Sequence, residues 1–427
     1  MTQRDDDCHP RRTQLPNGLT ILSEELPGRR SLALGVWLKT GARDEPPSLV
    51  GVSHFLEHML FKGTERRSAF DIANSLESRG GQLDAFTTRE YVCYYARCLE
   101  EHADLSLDVL ADIVGHSTLP DDEIEREKSV VREEIQSYED NPEEKVADVL
   151  AEALWGADPL GWPILGTLES LEALRSGEVR RFYRQRYGAR SLVLTAAGRV
   201  DHEWLVDRVR SLFDISGGDG LALAGTPRAQ APKTLYVERE VTQAYLALGQ
   251  PAVPQGDPRR YALAVLNAIV GGGMSSRLFQ SVRETAALAY SIYSSLDFFR
   301  DAGTLSIFLG VRPERAAEAL RRVAEELNRF RREGPSEEEM EAGRSQIRGN
   351  LILGQESVTN HMTHLAMDEL YHGHHVPLDD HLERVAAVTT AEVTELAQEF
   401  LRPESYTLAA VGPEGAGNEM AKGWHVG

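Results

Sequence analysis

Hydrophobic and polar positions alternate through residues 31–41, SLALGVWLKTG, and this period of two predicts a β-strand. Just upstream, QLPNGLTILSEELPG at 14–28 predicts two short strands around the turn pair Asn17-Gly18. The chain opens in the same way again at residues 233–251, KTLYVEREVTQAYLALGQP. The ends of the two halves also superpose: residues 168–200 and 382–414 each read as amphipathic helix, break, and strand ending in Gly. Between the halves, residues 212–234 are rich in Gly, Ala, Pro and Thr and hold no sustained period, the pattern of a linker. These patterns predict a tandem duplication with a unit of about 200 residues, too long for a solenoid repeat. The expected fold class is α+β, with two duplicated domains, each a mostly antiparallel sheet covered by helices. The expected boundaries are 1–211, a linker at 212–234, and 235–427.

One predicted helix breaks the apolar pattern. VGVSHFLEHMLF, residues 50–61, surrounds His54, Glu57 and His58 with Val, Phe, Leu and Met. At 3.6 residues per turn the three polar residues stand at i, i+3 and i+4, inside one arc of about 100°. Three separate buried polar groups would each need its own partner, whereas one shared cation satisfies both imidazoles at once. Two neutral imidazoles four residues apart can hold zinc, and the adjacent carboxylate can take a proton from water attacking a carbonyl carbon. The aligned segment of the second half, YALAVLNAIVGGGMSSRLF, has no such triplet.

A catalytic zinc with two His ligands needs a third ligand, usually a carboxylate. Residues 121–148 supply many, in a predicted helix with an acidic first turn. Glu127, Val130, Val131, Glu134 and Tyr138 form its expected inward stripe, with Glu123 near that side and Glu125 and Glu139 off it. Inward carboxylates are the candidate ligands.

Length of 427 residues, 41% hydrophobic and 26% charged content suit a soluble globular chain of two to three domains. A net charge of -21 argues against nucleic-acid binding and fits a generally acidic surface. Cys8, Cys93 and Cys98 suggest no disulfide framework, and a reducing compartment fits best. The opening MTQRDDDCHPRRTQ has no apolar targeting core, and no stretch reaches the roughly 18 apolar residues of a membrane span. The expectation is a cytoplasmic protein without a membrane segment.

HFLEH at 54–58 is the inverted zinc-peptidase motif. Together with GTERRSAFDIANSLESRGGQLDAFTTREYVCYYA, EREKSVVREEI, PLGWPILGT and GGGMSSRLFQSVRETAALAYSIYS, it makes nearly the whole chain resemble the pitrilysin family, particularly its mitochondrial processing peptidase type. The resemblance implies a zinc-dependent endopeptidase acting on extended or unfolded polypeptides, with one Zn2+ per chain. It implies His54, His58 and Glu134 as zinc ligands, Glu57 as general base and Glu127 as the glutamate supporting a ligand. Leu83 to Thr87, with Ala85, Phe86 and Thr87 as its substrate-binding residues, matches the edge strand that pairs with substrate. At Asp84 the chain departs from the family, which often has Asn there. Arg283 and Tyr290, in RETAALAY, match a pair that grips substrate from the half without metal ligands. Glu144 and Asp148 match acidic residues that contact an arginine just before the cleavage site; a solvated acidic helix explains them equally well. With only two domains per chain, the resemblance further implies a homodimer that completes each site.

The alternative is a non-catalytic scaffold, since relatives of this type serve as core subunits of a larger complex, usually with a broken motif. Manganese or cobalt could replace zinc in vitro. A second histidine cluster, HMTHLAMDELYHGHH at 361–375, lacks a completing carboxylate or cysteine and is expected to be a solvated helix end. VGGGMSSR lacks the lysine that a phosphate loop requires.

Overall fold

The computed structural model describes residues 9–215, 223–415, 417 and 424. The chain forms two compact units, each built on one sheet. In the first unit the strands are β1 (Arg11–Gln14), β2 (Thr20–Glu25), β3 (Ser31–Leu38), β4 (Gln82–Thr87), β5 (Val92–Leu99) and β6 (Leu192–Gly198). They lie in the order β1-β2-β6-β3-β5-β4, with β2 and β6 parallel and the other neighbours antiparallel. The Asn17-Gly18 turn joins β1 to β2, and Gly18 takes the positive φ of 97° that suits glycine there.

The second unit holds β7 (Thr234–Glu238), β8 (Ala244–Ala252), β9 (Ala289–Phe298), β10 (Gly303–Val311) and β11 (Thr407–Gly412). Their order is β7-β11-β8-β10-β9, and β7 and β11 are the parallel neighbours. Strand for strand this repeats β2-β6-β3-β5-β4, including the place of the parallel pair. The duplication is therefore one topology used twice, with β1 added to the first copy.

Compact units do not follow the expected boundaries 1–211 and 235–427. The first takes in Gly354–His375 from the second half of the chain, and the second takes in Gln136–Trp162 from the first. The reason is that each sheet has a second apolar face to cover. Leu22, Ala33, Trp37, Cys93, Val193 and Ala197 pack with Val358, Met362, Leu365 and Ala366 of the helix Val358–Tyr371. In the other unit, Ala247, Ala409 and Val411 pack with Val146, Val149 and Leu150 of the helix Pro142–Trp155. Both β3 and β8 carry Leu-Ala-Leu-Gly, and its glycine makes room for the covering helix. A Cβ at Gly35 would lie 3.0 Å from Met362 Sδ, and one at Gly249 would lie 2.8 Å from Leu150 Cδ2.

Segment 361–375 is thus no solvated helix end. Apolar residues at 358, 362, 365 and 366 form a narrow stripe that the histidines obscure in the sequence. His361 is buried, its Nδ1 2.8 Å from Glu24, and His375 Nδ1 lies 2.8 Å from Asp368. Residues 216–222 of the expected linker lie outside the described residues. Within its described part, Ala224 N–H donates to Asp44 (3.0 Å) and Gln230 N–H donates to the Leu154 carbonyl (2.7 Å). No helix among the described residues is long and apolar enough to cross a membrane.

Candidate metal centre

The triplet stands on the helix Val52–Met59, whose Val52, Phe55, Leu56 and Met59 are fully buried in the first unit's core. Those four anchors set the rotation of the helix and hence the direction of the polar arc. Glu45 holds its N-terminus, accepting hydrogen bonds from the N–H groups of Gly51 and Ser53, each at 2.7 Å. Burial pushes the Glu45 carboxyl up to about 8, and the bonds from Ser53 and Gly51 and the charge of Arg186 offset only part of that. Gly51 has φ of 90°, and a Cβ there would lie 2.7 Å from the Leu165 carbonyl oxygen, so only glycine fits.

Opposite stands the helix Asp121–Asp140, buried along Ile124, Glu127, Lys128, Val131 and Ile135. Val130, expected on the inward stripe, is 47% exposed. The buried arc is centred toward Ile124 and Val131, which turns Val130 outward while Glu127 and Glu134 stay on its margin. Glu123 pairs with Arg126, Glu125 with Lys128, and Glu139 with Lys145 and Arg239.

His54, His58 and Glu134 each offer one donor atom within 4.8 Å of the others, the one such group of His, Cys, Asp or Glu among the described residues. Glu134 Oε1 is 3.5 Å from His54 Nε2, and its Oε2 is 3.3 Å from His58 Nε2. Donors about 2.0–2.1 Å from a tetrahedral zinc are about 3.3 Å from one another, so these separations fit a shared ion. The Oε2 atom is also buried without hydrogen-bond geometry to any described partner. Two imidazole nitrogens and one carboxylate oxygen are a donor set suited to zinc.

Glu127 is 2% exposed and lies behind His58, its Oε1 2.8 Å from Nδ1 and its Oε2 2.6 Å from Lys62 Nζ. A proton on Nδ1 donated to Glu127 leaves the Nε2 lone pair toward Glu134. Burial works against charge on His58, but the carboxylates of Glu127 and Glu134 facing its two nitrogens outweigh it and push the metal-free imidazole up to about 9. The facing imidazoles of His54 and His58 in turn hold the Glu134 carboxyl well below the usual range. Glu57 is raised by burial, partly offset by a hydrogen bond from Thr87 Oγ1 at 2.5 Å. That threonine ends β4, the strand at the edge of the first sheet, which also carries Ala85 and Phe86. Asp84 Oδ1 accepts from Ala85 N–H at 2.8 Å.

The remaining expected residues lie in the second unit. Arg283, in the wide helical turn Phe279–Thr285, stands 4.6 Å above the Phe279 ring and 6.0 Å from the Tyr290 ring. Tyr290 is the second residue of β9 and is 77% exposed. After Pro142 the chain restarts as a helix capped by the Asn141 side chain, and Glu144 and Asp148 stand four residues apart on it. Three contributors were not anticipated: Glu45, Lys62 and the hydroxyl of Thr87. None of the three had a spacing signal: Lys62 lies beyond the end of the helix that carries His58 and meets Glu127, 65 residues on.

Residues 20–168 match the family model described as insulinase, peptidase family M16, and residues 173–347 match the one described as the peptidase M16 inactive domain. An uncharacterized zinc protease of Streptomyces coelicolor is 40% identical over 413 residues, covering 94% of this chain and 89% of its own. The chain belongs to peptidase family M16. A second relative of this M16 chain, the uncharacterized zinc protease YmxG of Bacillus subtilis, is 40% identical over 399 residues, covering 93% of this chain and 97% of its own. The M16 fold is shared with the crystal structure of a protease from Helicobacter pylori, at TM-score 0.89 and 22% identity over 95% of this chain and 100% of that one. The crystal structure of a peptidase M16 inactive domain from Pseudomonas fluorescens gives TM-score 0.88 at 21% identity, over 95% and 98%.

Proposed function

We propose that this M16 chain is a zinc-dependent endopeptidase that hydrolyses peptide bonds in extended polypeptides. The observation that carries the reading is the convergence of donors within 4.8 Å: His54 and His58 from the helix that also bears Glu57, and Glu134 from the helix opposite. His54, His58 and Glu134 would hold one zinc ion per chain. When bound, zinc supplies a Lewis acid that polarises a water molecule and a peptide carbonyl. Glu57 takes a proton from the attacking water and passes it to the departing amine as the C–N bond breaks. Glu127 keeps His58 in the tautomer whose Nε2 is free to bind. The open edge of β4, through Ala85, Phe86 and Thr87, receives the substrate backbone as an added strand. Arg283 and Tyr290 grip the substrate, and the proposal includes a homodimer in which they serve the partner's zinc. A cytoplasmic location is part of the same reading, supported by the free, buried thiols of Cys93 and Cys98.

The test compares Glu57→Gln with Glu134→Gln on a generic unfolded polypeptide, with zinc measured per chain. Glu57→Gln keeps near-stoichiometric zinc and loses turnover; Glu134→Gln loses both. Normal cleavage by Glu57→Gln would sink the mechanism, and normal zinc in Glu134→Gln would move the third ligand elsewhere. Stoichiometric zinc without cleavage of any polypeptide by the unmodified chain would favour the scaffold reading.

A further inference from the structure

We propose that Thr87 is a positioning residue: its hydroxyl fixes Glu57 at the point on the edge strand where the substrate backbone docks. The inference rests on the reading of Glu57 as general base and deepens it.

The register of β4 decides which backbone groups are free. Thr88 N–H donates to the Tyr91 carbonyl at 2.8 Å, so positions 88 and 91 are a hydrogen-bonded pair of the β4–β5 hairpin. Pairing alternates along an antiparallel ladder, so Thr87 opposite Val92, Ala85 opposite Tyr94 and Leu83 opposite Ala96 turn their N–H and C=O groups to the open edge. Ala85 N–H agrees with this, since its partner is the Asp84 side chain. An added strand would therefore bond to the backbone of Ala85 and Thr87.

Side chains alternate in the other sense. Leu83 and Ala85 pack into the first unit's core, on the face where the helix Val52–Met59 lies, and Thr87 is the next residue on that face. Its hydroxyl reaches Glu57 Oε2. One residue thus offers its backbone to the substrate and its side chain to the base. With Oε2 engaged, the carboxylate cannot rotate freely, and Oε1 is left as the proton acceptor.

Strand and helix are also held to one loop, which keeps this contact in place. Ala42 N–H donates to the Thr88 carbonyl (3.0 Å), Arg43 N–H to the Arg89 carbonyl (2.9 Å), and Arg43 Nη1 to Glu90 (2.6 Å). Two residues on, Glu45 caps the helix that carries Glu57. These bonds tie the strand end and the N-terminus of the helix that carries Glu57 to the same short loop.

The experiment measures kcat, KM, bound zinc and thermal midpoint for Thr87→Val, Thr87→Ala, Thr87→Ser and Glu57→Gln, using a fluorogenic peptide. Thr87→Val, nearly isosteric, is expected to keep zinc and midpoint and to hold KM within about twofold. Its kcat should fall roughly 10- to 100-fold, the loss of one hydrogen bond to a charged group. Thr87→Ser, which keeps the hydroxyl, should restore kcat to within about threefold; Thr87→Ala, which removes the hydroxyl without adding a methyl group in its place, should fall as Thr87→Val does, whereas a loss in Thr87→Val alone would mark disturbance of the strand and overturn the inference. Adding Thr87→Val to Glu57→Gln should cause no further loss, because the hydroxyl acts through that carboxylate. Unchanged kcat in Thr87→Val beside an inactive Glu57→Gln overturns the inference alone. Full activity of Glu57→Gln overturns the base reading and the inference with it. A rise in KM with kcat unchanged, or loss of zinc in Thr87→Val and Thr87→Ala, would make Thr87 a binding or structural residue instead.

Discussion

Replacing Glu127 with Gln removes a buried charge that two neighbours share. His58 Nδ1 lies 2.8 Å from one oxygen and Lys62 Nζ 2.6 Å from the other. The amide oxygen can still accept from Nδ1, but the amide nitrogen then faces Lys62, a donor against a cation. Loss of a group supporting a metal-binding histidine typically costs roughly 10–100-fold in metal affinity, or about 1.4–2.7 kcal/mol. The upper half of that range is expected, because Glu127 is 2% exposed and Lys62 loses its partner. Protons compete for the same nitrogen. Burial opposes the charge on His58, yet Glu127 and Glu134 raise it from 6.5 to about 9 in the metal-free chain. Zinc must displace that proton, so affinity should climb with pH and level off above about 9. Without the Glu127 charge the levelling should come at lower pH. The sign for the metal-free fold is the reverse: a raised folded value stabilises it below the unfolded 6.5, and that stability is lost as pH rises through about 9. Competition titrations with a chromophoric chelator across this pH range measure the affinity, and thermal melts of the metal-free chain measure the stability. Equal zinc affinity and an unmoved pH midpoint in Glu127→Gln would refute the reasoning.

Glu45→Ala should orphan the buried N–H groups of Gly51 and Ser53; at about 1–3 kcal/mol each, urea melts should show a loss of about 2–6 kcal/mol, and a change under about 1 kcal/mol would deny Glu45 its capping role. If sites are shared between chains, mixing Glu57→Gln with Arg283→Ala, each nearly inactive alone, should regenerate one intact site per mixed dimer; persistent inactivity after verified subunit exchange would exclude sharing. Matched peptides with Arg or Gln just before the scissile bond should differ in rate if Glu144 and Asp148 read a basic residue, and equal rates would remove both from the site.

Local pattern determined a good deal of this protein. Alternation in SLALGVWL and the matching openings of the two halves determined the strands and the duplication, because a pleated strand with one buried face can be written in few ways. Spacing within HFLEH put two imidazoles and a carboxylate on one arc, because helical geometry is the same in every protein. Other features depended on contacts between residues far apart in the chain. The covering helices Pro142–Trp155 and Val358–Tyr371 joined the opposite sheets from their own halves, since the second apolar face of each sheet does not specify which segment will cover it. The inward turn of Glu127 and Glu134 was legible from periodicity, but the outward turn of Val130 followed from where the helix met its neighbours. Glu45 capping a helix six residues on, and Thr87 reaching Glu57 thirty residues away, have no periodic signature. A hydrogen bond between side chains on separate elements is decided only when packing brings those elements together.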